Sequence, residues 1–302
     1  MPETRRQFPV LPEGSTGTPP PFDRIAIVGL GLIGGSIALA ARAAWPQALV
    51  IGVDRNTVLE QAIVRHAIDV ASEDLMIISE ADLVVLATPV GEILRLLPLL
   101  SEHLTTSAVV TDVGSTKRAI VEAARCLPAR LPFVGGHPLA GAARGGFEAA
   151  RPDLFAERPW LLIGGADPQP ETTVRLTAFV EELGARPLTL ASAAEHDRML
   201  AFLSHLPQLV ASAVMAVVGE GVGEAGLELA GRGLVDTTRL ASSPAGIWRD
   251  ICETNADEIG AALDHVVAVL QEVRQHLTGG QAIDDLFALA NQWRERMAAG
   301  RP

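Results

Sequence analysis

Lysine occurs once in this chain of 302 residues, tyrosine not at all, and cysteine only at Cys126 and Cys252. Two cysteines without metal-ligand spacing exclude a disulfide scaffold and a thiolate metal centre. They predict reduced thiols in a reducing, cytoplasmic compartment and no metal site. Positive charge is also short: 24 Lys+Arg against 36 Asp+Glu give a formal net charge of −12, which argues against nucleic acid and leaves no polybasic membrane patch. With 48% hydrophobic and only 20% charged residues, the chain is globular and not disordered. The absence of tyrosine carries no mechanism by itself. Residues 1–22 lack the apolar core of a signal peptide after Arg5 and Arg6. Instead Pro9, Pro12, Gly14, Gly17 and Pro19 to Pro21 predict a flexible leader. Residues 199–219 have no formally charged side chain over the length a bilayer requires, but Ser204, His205, Pro207 and Gln208 lie among them. That composition suits a helix buried among other helices better than one facing lipid.

What is present reads as two architectures in succession. Short apolar runs at 24–28, 49–53, 83–87, 108–112, 131–134 and 160–163 predict strands, and 33–44, 58–66, 93–104 and 116–127 predict helices between them. The alternation implies an α/β, Rossmann-type, doubly wound and mostly parallel sheet over 23–191. The continuously apolar strands fit a sheet covered on both faces. After a last strand at 187–190 the pattern becomes helical, at 193–218, 244–254, 256–277 and 283–299. Residues 192–302 therefore form an all-helical domain, and its first helix is apolar nearly all round. In so small a domain, such a helix predicts a partner subunit completing the core, hence a homodimer.

Gly29-Leu30-Gly31-Leu32-Ile33-Gly34 follows the first strand and opens a helix. Its glycines serve the tight turn, the approach of a pyrophosphate and helix-to-strand packing. The diphosphate then lies on the helix N-terminus. Asp54 ends the second strand, placed to bind ribose hydroxyls and to repel a 2′-phosphate, which favours NAD. Arg55 beside it stacks on adenine or reaches a phosphate. Thr88 and Pro89, closing the third strand, lie where the ribose or nicotinamide is expected, or simply form a strand-to-helix turn.

Gly135-Gly136-His137-Pro138-Leu139-Ala140-Gly141 places a histidine with little local freedom at the mouth of such a fold. His137 reads as a positioned acid/base, or as a histidine satisfied within its loop. Thr111-Asp112-Val113-Gly114-Ser115-Thr116-Lys117 closes the fourth strand, and Ser115 either caps the next helix or presents its hydroxyl to a substrate. Further on come Asp236-Thr237-Thr238-Arg239, Ser243-Pro244 and Trp248-Arg249-Asp250. Taken in this order, the motifs resemble the prephenate/arogenate (cyclohexadienyl) dehydrogenases of tyrosine biosynthesis, the TyrA family, from about Arg24 to about Glu253.

The resemblance implies roles. His137 takes the proton of the ring 4-hydroxyl, and Ser115 hydrogen-bonds that hydroxyl. Arg239 binds a substrate carboxylate, unless it is a surface ion pair. Trp248 is similar to a tryptophan at a subunit boundary, or serves the core. Ser204, His205, Leu206 and Pro207 sit at the substrate pocket. Gln208 faces the variable end of the substrate, or only packs within its helix. Departures also show. Ala142-Ala143-Arg144 stands where the family often has an acid, and no regulatory domain is expected before Pro302, so tyrosine would inhibit at the active site itself. A β-hydroxyacid dehydrogenase of similar architecture relies on a lysine early in the helical part, and 193–218 has none. A catalytically idle NAD-binding protein would be free to lose Ser115, His137 and Arg239 together, and all three are present.

Overall fold

A computed structural model describes residues 19–142, 144–164, 170–278 and 280–299. Most of the expected leader, and Ala143, lie outside the described residues. The backbone divides into two compact units: the residues up to Ser115 with Ala119–Ser192, and Thr116–Arg118 with the chain from Ala193 onward.

In the first unit the described strands are β1 (Arg24–Val28), β2 (Leu49–Val53), β3 (Val70–Ser72), β4 (Leu83–Leu86), β5 (Val109–Asp112), β6 (Phe133–Pro138), β7 (Pro159–Gly164) and β8 (Arg186–Leu190). They form one sheet in the order β3-β2-β1-β4-β5-β6-β7-β8, parallel throughout except between β6 and β7. Helices α1 (Leu32–Ala44), α2 (Asn56–Val64), α3 (Val90–Leu96), α4 (Leu100–His103), α5 (Arg118–Ala123) and α6 (Pro170–Glu182) connect them. Alternate residues of the central strands feed two cores. Ile25, Ile27, Leu83 and Val85 join Phe22, Trp45, Trp160 and Phe179 on one face, whereas Ala26, Val28, Val84 and Leu86 join Ile78, Leu97 and Leu100 on the other. The scarce aromatics thus concentrate on one side, where Trp45 stacks on Phe179 at 5.4 Å. Phe22, the last residue of the expected leader, packs there edge-on against the same ring.

Differences from the sequence reading have local causes. The helix expected over 93–104 breaks into α3, a 3₁₀ turn and α4 because Pro98 has no N–H to donate. The fifth expected strand begins two residues later and runs through His137 to Pro138, so the histidine stands in the ladder and not in a loop. β3 is only three residues long, and α6, which opens on Pro170, carried a start signal that was not read.

The second unit holds α7 (Ala193–Leu200), a π-helical turn (Ala201–His205), α8 (Leu206–Leu227), α9 (Arg232–Thr237), a 3₁₀ turn (Arg239–Ser242), α10 (Ala245–Thr254), α11 (Ala256–Gln275) and α12 (Gln281–Ala299). The helix expected over 193–218 is interrupted because Pro207 cannot donate to the carbonyl of Leu203. The π turn absorbs the defect. Its core is small: Ala201, Ile251 and Ile259 are buried, flanked by Leu209, Trp248, Cys252 and Leu263. Only Gln208 and Ala211 of α8 are buried, and no described residue of α12 is. The expected all-round cover of 199–219 is therefore not supplied by a single chain. By length and composition alone Ala193–Leu227 is apolar enough to cross a membrane, with 22% of its most apolar window buried.

Candidate active site

Sheet order locates the ligand edge of the first unit. From β1 the chain winds outward to β2 and β3, then returns to β4 on the other side, and such a switch point opens a crevice at the carboxyl ends of the strands. Gly29 follows β1 with a φ of +95°, and a Cβ there would lie 2.8 Å from the Ala87 carbonyl carbon and from Thr88 Cγ2. At Gly34 a Cβ would meet the Gly29 carbonyl oxygen at 1.9 Å. Protein packing demands both glycines. A Cβ at Gly31 would meet nothing within 4 Å, so that glycine keeps open space before the helix.

Helix α1 has no side-chain cap, and its first internal hydrogen bond runs from Gly35 to Gly31 at 2.9 Å. The amides of Leu32, Ile33 and Gly34 are therefore left for an anion. Leu30 lies wholly in the core, so it offers the edge its backbone alone. Asp54 accepts the Leu30 amide at 2.6 Å and the Arg55 amide at 2.7 Å. Each carboxylate oxygen keeps a further lone pair. Arg55 is exposed, its Nε 3.9 Å from Asp54. The Thr88 hydroxyl is buried with no hydrogen-bond partner among the described residues, beside exposed Pro89. Open space at Gly31, unpaired helix amides and the Thr88 hydroxyl all fit a dinucleotide.

Farther along the same edge, the buried carboxylate of Asp112 accepts the amide of Gly114 at 2.8 Å and that of Gly136 at 3.1 Å. One side chain thereby ties the segment bearing Ser115 to the strand bearing His137. Gly136 must be glycine, since a Cβ would come 2.4 Å from the Asp112 carbonyl oxygen. His137 is 9% exposed and stands opposite Leu161 of β7. Ser115 is half-buried and does not cap α5, which begins three residues later. The capping expectation is thus corrected.

In the second unit the amides of Lys117 and Arg118 are taken instead by Asp197, at 2.7 and 2.9 Å. Asp197 is fully buried and also bonds His196 Nδ1 at 2.8 Å. Burial alone pushes its carboxyl up, yet the bonds from His196 and the two amides hold it below the usual carboxylate range. Lys117, the one lysine, is fully buried too. Arg118 forks onto Asp257 and Asn255, and Asn255 donates to the Asp197 carbonyl at 2.9 Å and lies 3.3 Å from His205 Nδ1. The pairing holds Asp257 well below its ordinary range.

His205 is 1% exposed, edge-on to half-buried Trp248 at 6.1 Å, and its Nε2 has no partner among the described residues. Burial pushes its ring down to about 4, His196 adding to the effect and Asp197 opposing it. Ser204 is half-buried in the same π turn. Arg239 is exposed, and its guanidinium has no hydrogen-bond or ion-pair partner among the described residues. The Gln208 amide, 5% exposed, is committed internally: Nε2 to the Leu240 carbonyl at 2.7 Å and to Ser212 at 3.3 Å, with Ser243 donating to Oε1 at 3.1 Å. Asp112, Asp197 and Asn255 were not singled out from the sequence. Asp197 lies in the charged run Glu195-His196-Asp197-Arg198, and the adjacent His-Asp pair was its one available signal, since buried charges persist only when paired.

Two family models match this chain: the nucleotide-binding domain of prephenate dehydrogenase over residues 37–189 and its dimerization domain over 192–292. The prephenate dehydrogenase of Bacillus subtilis is 34% identical over 276 residues, 88% of this chain and 72% of that one. Among solved structures, the arogenate dehydrogenase of Synechocystis superposes with a TM-score of 0.77 at 32% identity, covering 91% of this chain and 99% of that one. The prephenate dehydrogenase of A. aeolicus, solved with hydroxyphenyl propionate and NAD+, gives 0.83 at 25% identity, covering 95% and 100%.

Proposed function

This chain belongs to the prephenate dehydrogenase family, and from that membership we propose that it converts prephenate to 4-hydroxyphenylpyruvate and CO2 in tyrosine biosynthesis. Arogenate, which gives tyrosine, is the second substrate in view. NAD, held by Gly29 to Gly34 and Asp54, with Arg55, Thr88 and Pro89 beside it, supplies the hydride acceptor. His137 takes the hydroxyl proton, a task suited to an imidazole near neutral pH. Ser115 hydrogen-bonds the same hydroxyl. Arg239 binds a carboxylate, because a planar guanidinium engages both oxygens. Ser204, His205 and Trp248 complete the substrate surroundings. Loss of CO2 and the gain of aromaticity pull the reaction forward, so the protein need only hold the ring, accept one proton and place the acceptor.

One observation carries the reading: Gly29, Thr88, Ser115 and His137 all stand at the carboxyl ends of mutually parallel strands, β1, β4, β5 and β6. Incubation with NAD and prephenate, followed by absorbance at 340 nm, tests it. Reduction with prephenate supports it, whereas silence with both prephenate and arogenate, or turnover of a β-hydroxyacid instead, overturns it.

The helical unit serves as the twofold interface of a homodimer in the cytoplasm. Sparse burial along α8 and α12 supports this, as do two free cysteines. Sedimentation should give twice the 31.8 kDa chain mass, and a stable monomer at micromolar concentration would refute it. Tyrosine is proposed as a competitor at the same site.

A further inference from the structure

Gln208 is the third residue of α8, and its amide is spent on the segment that carries Arg239. It donates to the carbonyl of Leu240 and accepts from the hydroxyl of Ser243, the residues on either side of the last bend of the 3₁₀ turn. A 3₁₀ turn of four residues has poor internal hydrogen-bond geometry and depends on outside support. At the turn's ends Ala241 bonds Thr238 at 2.8 Å and Ser243 bonds Leu240 at 3.1 Å, and the Ser242 hydroxyl donates to the Arg239 carbonyl at 3.3 Å. Leu240 is half-buried, and its carbonyl is thus shared between a backbone amide and the buried Gln208 side chain. Arg239 is the first residue of this turn, and Gln208 reaches the turn from outside it.

We propose that Gln208 is a positioning residue that acts through Arg239, bracing the turn from which the guanidinium reaches a substrate carboxylate. The inference rests on the reading of Arg239 as that carboxylate ligand. The brace needs one donor and one acceptor on the same planar group. Glutamate would set a carboxylate oxygen against the Leu240 carbonyl, two acceptors facing one another, and methionine would offer neither bond. A residue that recognised the variable end of the substrate would need a free donor or acceptor. Leu240 and Ser212 take both hydrogens of the Gln208 nitrogen and Ser243 takes one lone pair of its oxygen, so no donor is left and the remaining lone pair is the amide's one open position.

The test is a double-mutant cycle between Gln208→Met and Arg239→Ala, with Ser243→Ala as a milder variant that removes half of the brace. Gln208→Met should raise KM for prephenate and arogenate alike by about ten-fold with kcat nearly unchanged, and should add nothing once Arg239 is alanine. Ser243→Ala should move KM in the same direction by less. Hydrogen exchange of the 239–243 amides should speed up in Gln208→Met. A change of ten-fold or more in the ratio between the two substrates would overturn the inference, because it would place Gln208 against the substrate. Equal effects of Gln208→Met with and without Arg239 would overturn it as well. If Arg239→Ala left KM untouched while exchange in the turn still accelerated, the brace would stand and the carboxylate role of Arg239 would fall.

Discussion

Asp112 accepts the backbone amide of Gly136, one residue before His137, from a side chain that is wholly buried at the end of the neighbouring strand. The same carboxylate holds the amide of Gly114, one residue before Ser115. The proposed base and its hydroxyl partner are therefore set by one rigid acceptor and not by two independent loops.

Asp112→Asn should show this. An amide can present its oxygen to only one of the two N–H groups, and its own NH2 faces the other. With both reactive side chains intact, kcat should fall roughly 10- to 100-fold, the scale of a small misplacement at a reacting centre. An activity equal to wild type would mean that the backbone alone fixes these segments.

His137→Asn should leave the fold and NAD affinity unchanged and lower turnover by roughly 10²–10⁴, the usual worth of a positioned general base. Steady-state kinetics with NAD titrated separately by fluorescence checks it. Turnover within threefold of wild type would remove His137 from the chemistry.

Asp54→Ser should weaken NAD and improve the use of NADP. The carboxylate that repels a 2′-phosphate is gone, and exposed Arg55 beside it remains as an attraction. The same change deletes an acceptor of the Leu30 amide, so some loss of stability should accompany it. Measuring kcat/KM for both cofactors decides the matter, and a wild type that already prefers NADP would reverse it.

His205 predicts an acid-sensitive helical unit. Its ring is held down to about 4 by burial, so the folded form resists protonation that the unfolded chain accepts at the ordinary imidazole value of about 6.5. Stability is full above that value and drains away as pH falls toward 4, by on the order of 3 kcal/mol. Asp197, held below the usual carboxylate range, stays ionised throughout this interval. His205→Asn removes the titration. Urea unfolding at pH 7 and at pH 4.5 should show a smaller loss in the variant than in wild type, and equal losses would assign the acid sensitivity elsewhere.

The central sheet and its glycine loop were legible because their physics is local. β1 and β2 follow the apolar runs residue for residue, and Gly29 and Gly34 are demanded by contacts that recur wherever a strand turns into a helix over a neighbouring strand. Three features were hidden for the opposite reason. The extension of β6 through His137 depends on pairing with β7, whose residues lie more than twenty positions away. The two amides that Asp197 accepts, of Lys117 and Arg118, lie about 80 residues away, and apart from adjacent His196 nothing in its own neighbourhood announces its role. The commitment of Gln208 to the Arg239 turn is likewise a tertiary fact, invisible to helical periodicity.

The solitary lysine has a consequence for the surface. Lys117 is buried, so the exposed cationic side chains are guanidinium groups and imidazoles, and tyrosine is absent altogether. Lysine and tyrosine are the side chains that ordinarily titrate near pH 10, while arginine stays protonated beyond about 12. The molecule therefore has few side chains that change charge between mild and strong alkali. Its electrophoretic mobility should stay nearly flat across that range, and amine-directed labels should find almost no side chain to react with.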